Sequence, residues 1–301
     1  MLKAPNLVMP IFRGDSWWKD SLDSLLQCRD LFDEVTLSFD GPTRYELSSW
    51  LKDHYDPLLR PTVLVTPKEM TAVEHFRWIF RDSKAAEWSP DQLVMILAED
   101  DQLVREPTES ALRAQMQLRN AALFGDWTTR ADWVVPLPKA KGRTIGDGLF
   151  LYQDGEFQRH VQEIEESRCV TSISGICVPL ESLHSYISMI FSANGTALTS
   201  GVRAEYMLIG QESIKTVIRS TKPTVHVALH PNRESVFTSS KQWRRDDAFF
   251  KAWKLCQALD SPPSANAGSL VRISLGLLRH PAMVPTFIRS FRILRSSSDV
   301  N

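Results

Sequence analysis

Leu93-Val-Met-Ile-Leu-Ala98 runs without one polar residue into Glu99-Asp100-Asp101. A strand with one face in water alternates, so an unbroken apolar run reads as a strand covered on both faces. Three adjacent carboxylates at its end raise one another's pKa, and a divalent cation removes the conflict. Hard oxygen ligands suit Mg2+ or Mn2+, which commonly take phosphate oxygens from a substrate as well. A solvated acidic turn is the plain alternative, and the surrounding chain decides between the two.

That chain alternates. Positions 6–12 read as a buried strand ending in Arg13-Gly14-Asp15, and 17–30 carry a helical stripe of Trp18, Leu22, Leu25 and Leu26. A second strand over 35–39 ends in Asp40-Gly41-Pro42, a strong turn signal. Positions 45–55 can be helical, 61–66 form a third strand, and Thr71 with Glu74 makes a capping box for a helix to about Ser83. The apolar run is then the fourth strand. This order predicts an α/β fold with a mainly parallel, Rossmann-type sheet flanked by helices. Ligands of such sheets bind beyond the carboxyl ends of the strands, where the three polar clusters converge. The second half is more mixed: helices over 108–124, 179–191 and 202–210, and strands over 133–137, 148–152, 168–178 and 224–229. Ser261-Pro262-Pro263-Ser264 reads as a linker before a basic tail.

Composition excludes other classes. With 35 basic against 36 acidic residues in 301, net charge −1, no basic excess points to nucleic acid. Cys28, Cys169, Cys177 and Cys256 have neither zinc spacing nor the density of a disulfide scaffold, so a reducing compartment fits. The start lacks the apolar core of a signal peptide, and no apolar run approaches the roughly 20 residues that span a bilayer. The expected location is the cytoplasm, with peripheral contact on the inner face of the membrane.

The order NLVMPIFRGD, VTLSFDGP, LVMILAEDDQL resembles the nucleotide-sugar glycosyltransferases of the GT-A fold, especially family 2 and its relatives. The resemblance implies a nucleotide-diphosphate sugar donor, of UDP type, bound over residues 1–105, and an acceptor-binding half over 106–260 of the same domain. Arg13, Asp40 and Gly41 match the loops around the nucleoside. Glu99-Asp100-Asp101 matches the DxD-type motif holding Mn2+ or Mg2+ and the diphosphate, with Asp101 as the better metal ligand and Glu99 in place of the usual first Asp. Ser174-Gly175-Ile-Cys-Val-Pro-Leu180 looks like the acceptor-side strand and helix. Glu205 falls where the family has the acid that deprotonates the acceptor hydroxyl, although Tyr206 replaces its partner Asp. His226, or His230 in HPNRES, lies where relatives place a basic residue near the diphosphate.

Other candidates stand beside ordinary alternatives. Asp147 in Gly146-Asp147-Gly148 is a rival base or acceptor contact, or only a turn. Arg77 can reach a phosphate or sit on a surface helix; Arg244 and Arg245 can clamp the diphosphate or be solvated. Trp17 and Trp18 read chiefly as packing. In the tail (261–301) five Arg oppose one Asp, and Val284, Phe287, Phe291 and Leu294 share a helical face, the pattern of an interfacial helix at anionic lipid or of a packed helix. The resulting expectation is a metal-dependent, inverting glycosyltransferase acting on a glycan or lipid-linked glycan in O-antigen, lipopolysaccharide or capsule-type assembly. A sugar nucleotidyltransferase and a non-catalytic binding protein on the same fold remain alternatives.

Overall fold

The computed structural model describes residues 3–12, 18–46, 55–118, 121–129, 139–157, 160, 173–190, 208, 211, 214–228, 240–260 and 267–298. Strands β1 (Asn6–Ile11), β2 (Val35–Phe39), β3 (Thr62–Val65) and β4 (Leu93–Ile96) are parallel in the order β3-β2-β1-β4. Between them come α1 (Trp18–Gln27), α2 (Pro42–Glu46), α3 (Asp56–Leu59) and α4 (Ala72–Arg77), the last opened by the expected Thr71–Glu74 capping box. Alternate residues feed opposite layers: Leu7, Met9 and Ile11 pack with Leu37 and Met95, whereas Val8 packs with Val94 and Ile96 on the other face. Trp18 is buried and meets Phe39 edge-on at 6.0 Å, so it packs the first helix as read.

The sheet continues past β4. After β5 (Gln102–Leu103) and α5 (Arg105–Met116) come β6 (Ala122–Thr129), β7 (Arg143–Gly146), β8 (Leu149–Gln153), β9 (Cys177–Pro179), α6 (Leu180–Ile190) and β10 (Thr216–Val227). The order runs β4-β9-β6-β10-β8-β7, with β5 also paired to β10. This half is mixed: β9 is antiparallel to β4 and β6, while β6 and β10 are parallel. The expected helix over 108–124 is corrected; it starts at Arg105, stops at Met116, and Ala122-Leu-Phe124 opens a central strand. Such a short apolar run has no period of its own, so burial between two layers decides its state. The expected strand over 133–137 lies outside the described residues, as does the helix over 202–210 apart from Leu208. The strand expected over 168–178 is corrected, since residues 173–176 form a turn and the strand is Cys177–Pro179, with 168–172 outside the described residues.

β10 carries an irregularity opposite Asp126, where residues 221–224 bulge between the Ser220–Gly125 and Val225–Trp127 pairs. Beside it, buried Arg219 holds Asp126 through Nε–Oδ1 at 2.9 Å and Nη2–Oδ2 at 2.8 Å. Its Nη1 also meets His160 Nε2, and that ring stacks on Tyr152 at 5.3 Å. Burial pushes the Asp126 carboxyl up, against the pull of the guanidinium.

Helices α7 (Ser240–Asp260), α8 (Ala267–Arg279) and α9 (Val284–Ser298) close the chain. The tail is packed: Ile273, Phe287, Ile293 and Leu294 join the core cluster of Phe249, Phe250 and Trp253 from α7. The apolar face of α9 proposed for lipid is thereby consumed, with Phe287 and Phe291 stacked at 6.3 Å.

Either Arg219→Met or Asp126→Asn should lower unfolding free energy by about 3–5 kcal/mol, since each strands a buried charge. The Asp126→Asn/Arg219→Met double variant should lose less than the two singles together, read by urea denaturation.

Candidate active site

The crevice arises where β1 and β4 part. Leu7 N donates to Glu34 O at 2.8 Å, so odd-numbered amides of β1 point at β2 and even-numbered ones at β4. The last β1–β4 partners are Val8 and Ile96. Pro10 has no N–H to give, and it falls where β4 has already left. Phe12, the next even position, donates its N–H to Glu99 Oε2 at 3.1 Å, so a carboxylate replaces the ladder. Strand order also reverses between β1 and β4, the switch point at which α/β sheets bind ligands.

The three acids of the turn do different things. Asp101 is fully buried: Oδ2 accepts from Ser174 Oγ at 2.7 Å and Oδ1 from Ala228 N at 3.1 Å. Ser174 Oγ itself accepts from Ala98 N at 2.8 Å, and Ser21 Oγ of α1 donates to the Asp101 carbonyl. Asp101 thus clasps β4, the loop before β9, the end of β10 and α1. The expectation that it is the foremost metal ligand meets a geometry that does not fit, because both oxygens are bonded and shielded from solvent. Glu99 is partly exposed, and Asp100 lies between them, buried at the margin. Among the described residues no group of three His, Cys, Asp or Glu side chains converges as a metal site. A cation sharing substrate oxygens needs fewer protein ligands, and Glu99 and Asp100 fit that case.

Asp40 ends β2 beside this turn. Its Oδ1 accepts from Met70 N at 2.8 Å, so the loop after β3 fixes it. Gly41 follows at φ +90, a conformation that favours glycine, and gives its N–H to Thr66 Oγ1 at 2.7 Å. His75, buried on α4, is 2.7 Å by Nε2 from Ser38 Oγ and meets Phe12 edge-on at 5.0 Å; its Nδ1 has no partner among the described residues. Desolvation lowers its pKa to about 4, so the ring is neutral near pH 7.

The structure therefore brings together Asp40, Gly41, Glu99, Asp100 and Asp101. Arg77 stands exposed at the end of α4. Asp147 is not brought to the turn: it tips the β7–β8 hairpin, exposed and paired with Lys222 Nζ. Four strand spacings, roughly 19 Å, separate β8 from β4, so Asp147 reads as a solvated turn and not as the base. Glu205, Arg13, Trp17 and His230 lie outside the described residues. Leu208 is buried, and Gln211 Nε2 donates to the carbonyls of Leu208 and Ser182, tying Leu208 and Gln211 to α6. Sequence reading missed the hydroxyl task of Ser174, although the Ser-Gly pair was in view. Gly175 adopts φ +81, and a Cβ there would meet Thr224 Oγ1 at 2.8 Å.

No family model matches the sequence, and no curated protein sequence matches it. Solved structures do match. S. aureus TarS 1-349 in complex with UDP-GlcNAc superposes with TM-score 0.52 at 12% identity, over 83% of this chain and 66% of that one. The chain has the GT-A fold. TarS 1-349 in complex with UDP gives TM-score 0.54 at 13% identity, over 98% of this chain and 91% of that one. GalNAc-T7 with UDP, GalNAc and Mn2+ gives 0.53 at 10% identity, over 82% of this chain and 47% of that one. Both neighbours are glycosyltransferases. At these identities the GT-A likeness concerns the fold.

Asp101→Asn should destabilise the protein by about 1–3 kcal/mol, because an amide cannot accept from both donors; Glu99→Gln and Asp100→Asn should leave unfolding curves nearly unchanged. His75 adds a pH signature. Its folded pKa lies below the unfolded value, so its contribution is full above about pH 6.5 and is lost as pH falls toward 4. The loss should reach roughly 3 kcal/mol, and His75→Gln should flatten that part of the stability profile.

Proposed function

We propose that this protein transfers a sugar from a nucleotide-diphosphate donor, of UDP type, to a hydroxyl of a glycan or lipid-linked glycan. The observation that carries the proposal is the acidic turn at the β1–β4 divergence of a GT-A sheet, with Asp40 beside it. The UDP and UDP-GlcNAc complexes of TarS lend support through the shared fold. Asp40 and Gly41 take the nucleoside side, and we assign Arg13 to it as well. Glu99 and Asp100 take the diphosphate side, and His230 is the basic residue we assign to the diphosphate. A divalent cation held by Glu99 and Asp100 would neutralise charge on the departing diphosphate.

The reaction is a single displacement with inversion. The acceptor oxygen forms its bond to the anomeric carbon as the carbon–phosphate oxygen bond breaks, and the diphosphate leaves with the electron pair. Glu205 takes the proton from the acceptor hydroxyl. The setting we propose is surface-polysaccharide assembly at the cytoplasmic face of a membrane, where a lipid-linked acceptor is presented.

UDP release from a panel of UDP-sugars, with Mn2+ and without, tests this reading. Glu205→Gln should lower transfer by about 10²–10⁴-fold and leave donor affinity unchanged. Pyrophosphate release instead of UDP would mark a nucleotidyltransferase, and no turnover with any nucleotide sugar would leave a binding protein.

A further inference from the structure

Helix α8 is apolar on both sides. Ile273 is buried in the core and Leu277 packs partly against it. At about 100° per residue, Val271, Leu275 and Leu278 fall on the opposite side. They are 56%, 47% and 76% exposed. Single exposed leucines are ordinary, but a contiguous stripe marks an interaction surface. Among the described residues eight large apolar side chains are exposed, and five of them (Leu259, Val271, Leu275, Leu278 and Ile288) lie in this C-terminal segment. The stripe is therefore local and not a general property of the surface.

Along α8 and α9 themselves the charge has one sign. Between Ala267 and Ser298 stand Arg272, Arg279, Arg289, Arg292 and Arg295, with no Asp or Glu. Arg272 and Arg279 flank the stripe along one edge of α8, about 60–100° from its centre, and both are exposed. A protein partner of ordinary composition does not require such one-sided charge. An anionic bilayer does: apolar side chains enter the acyl boundary while guanidinium groups stay at the phosphates.

We propose that the outward face of α8, Val271, Leu275 and Leu278 edged by Arg272 and Arg279, docks this protein onto an anionic lipid bilayer. The docking face is not the apolar face of α9, whose Phe287 and Leu294 are packed inside. The inference rests on the proposed lipid-linked acceptor for its purpose and on the exposed stripe for its geometry.

Flotation of the full chain with vesicles of phosphatidylcholine carrying 30% phosphatidylglycerol tests it. Wild-type protein should float with these vesicles at low salt, release as salt rises, and ignore pure phosphatidylcholine. Arg272→Gln/Arg279→Gln should weaken partitioning roughly 30-fold. Val271→Ser/Leu275→Ser/Leu278→Ser should abolish it, with unchanged thermal unfolding because the three side chains lie outside the core. Leu278→Glu alone serves as a second variant and should also fail to float. The proposal is overturned if wild type does not float, or if the serine variant floats as well as wild type. It is equally overturned if light scattering shows a dimer that the serine variant dissolves, since the stripe would then cover a second copy. UDP release measured in vesicle-free solution separates the two readings: flotation lost with turnover intact removes the docking face alone, and turnover absent with flotation intact removes the transferase reading alone.

Discussion

The buried carboxylate of Asp101 holds the centre of this molecule. A carboxylate out of water is costly unless donors replace its hydration, and here they come from Ser174 and Ala228, on different elements of the second half of the chain. Ser21 reaches the same residue from α1. The requirement to satisfy one buried charge thus fixes where β4 stops, where β9 approaches and where β10 ends. The crevice floor is set by these contacts before any ligand enters.

Two further local facts open the crevice. Pro10 cannot donate at the point where β1 loses β4, and Glu99 accepts the next available amide, Phe12 N. The gap is therefore backbone-deep and lined by acid. Asp40 is held at its side by Met70 N, from the loop after the neighbouring strand. The division of labour among three adjacent acids follows from backbone direction: Glu99 meets β1, Asp101 turns inward, and Asp100 sits between.

The first half was legible because each of its strands is a short apolar run closed by a strong turn signal, and because parallel order follows from alternation. The positions of Asp40 and Glu99 after strand ends were legible for the same reason. Asp101 was found but its task was not, because sequence shows a carboxylate and not the donors that will face it. Ala122–Phe124 reads as the end of a helix until Gly125 and Asp126 are seen opposite the bulge of β10. Asp147 sits in the tight turn that its Gly-Asp-Gly spacing offered as one of two readings, and sheet order carries that turn to the far edge. The α9 stripe was correctly amphipathic, yet periodicity cannot tell lipid from a neighbouring helix, and α7 covers it.

A crystal structure of the protein with UDP and Mn2+ tests the central claim most directly. The account predicts the nucleotide across the ends of β1 and β4, the base beside Asp40, the diphosphate over Glu99 and Asp100, and Asp101 still bonded to Ser174 and Ala228. A cation ligated directly by Asp101, with those two hydrogen bonds broken, or a nucleotide bound elsewhere, would contradict it.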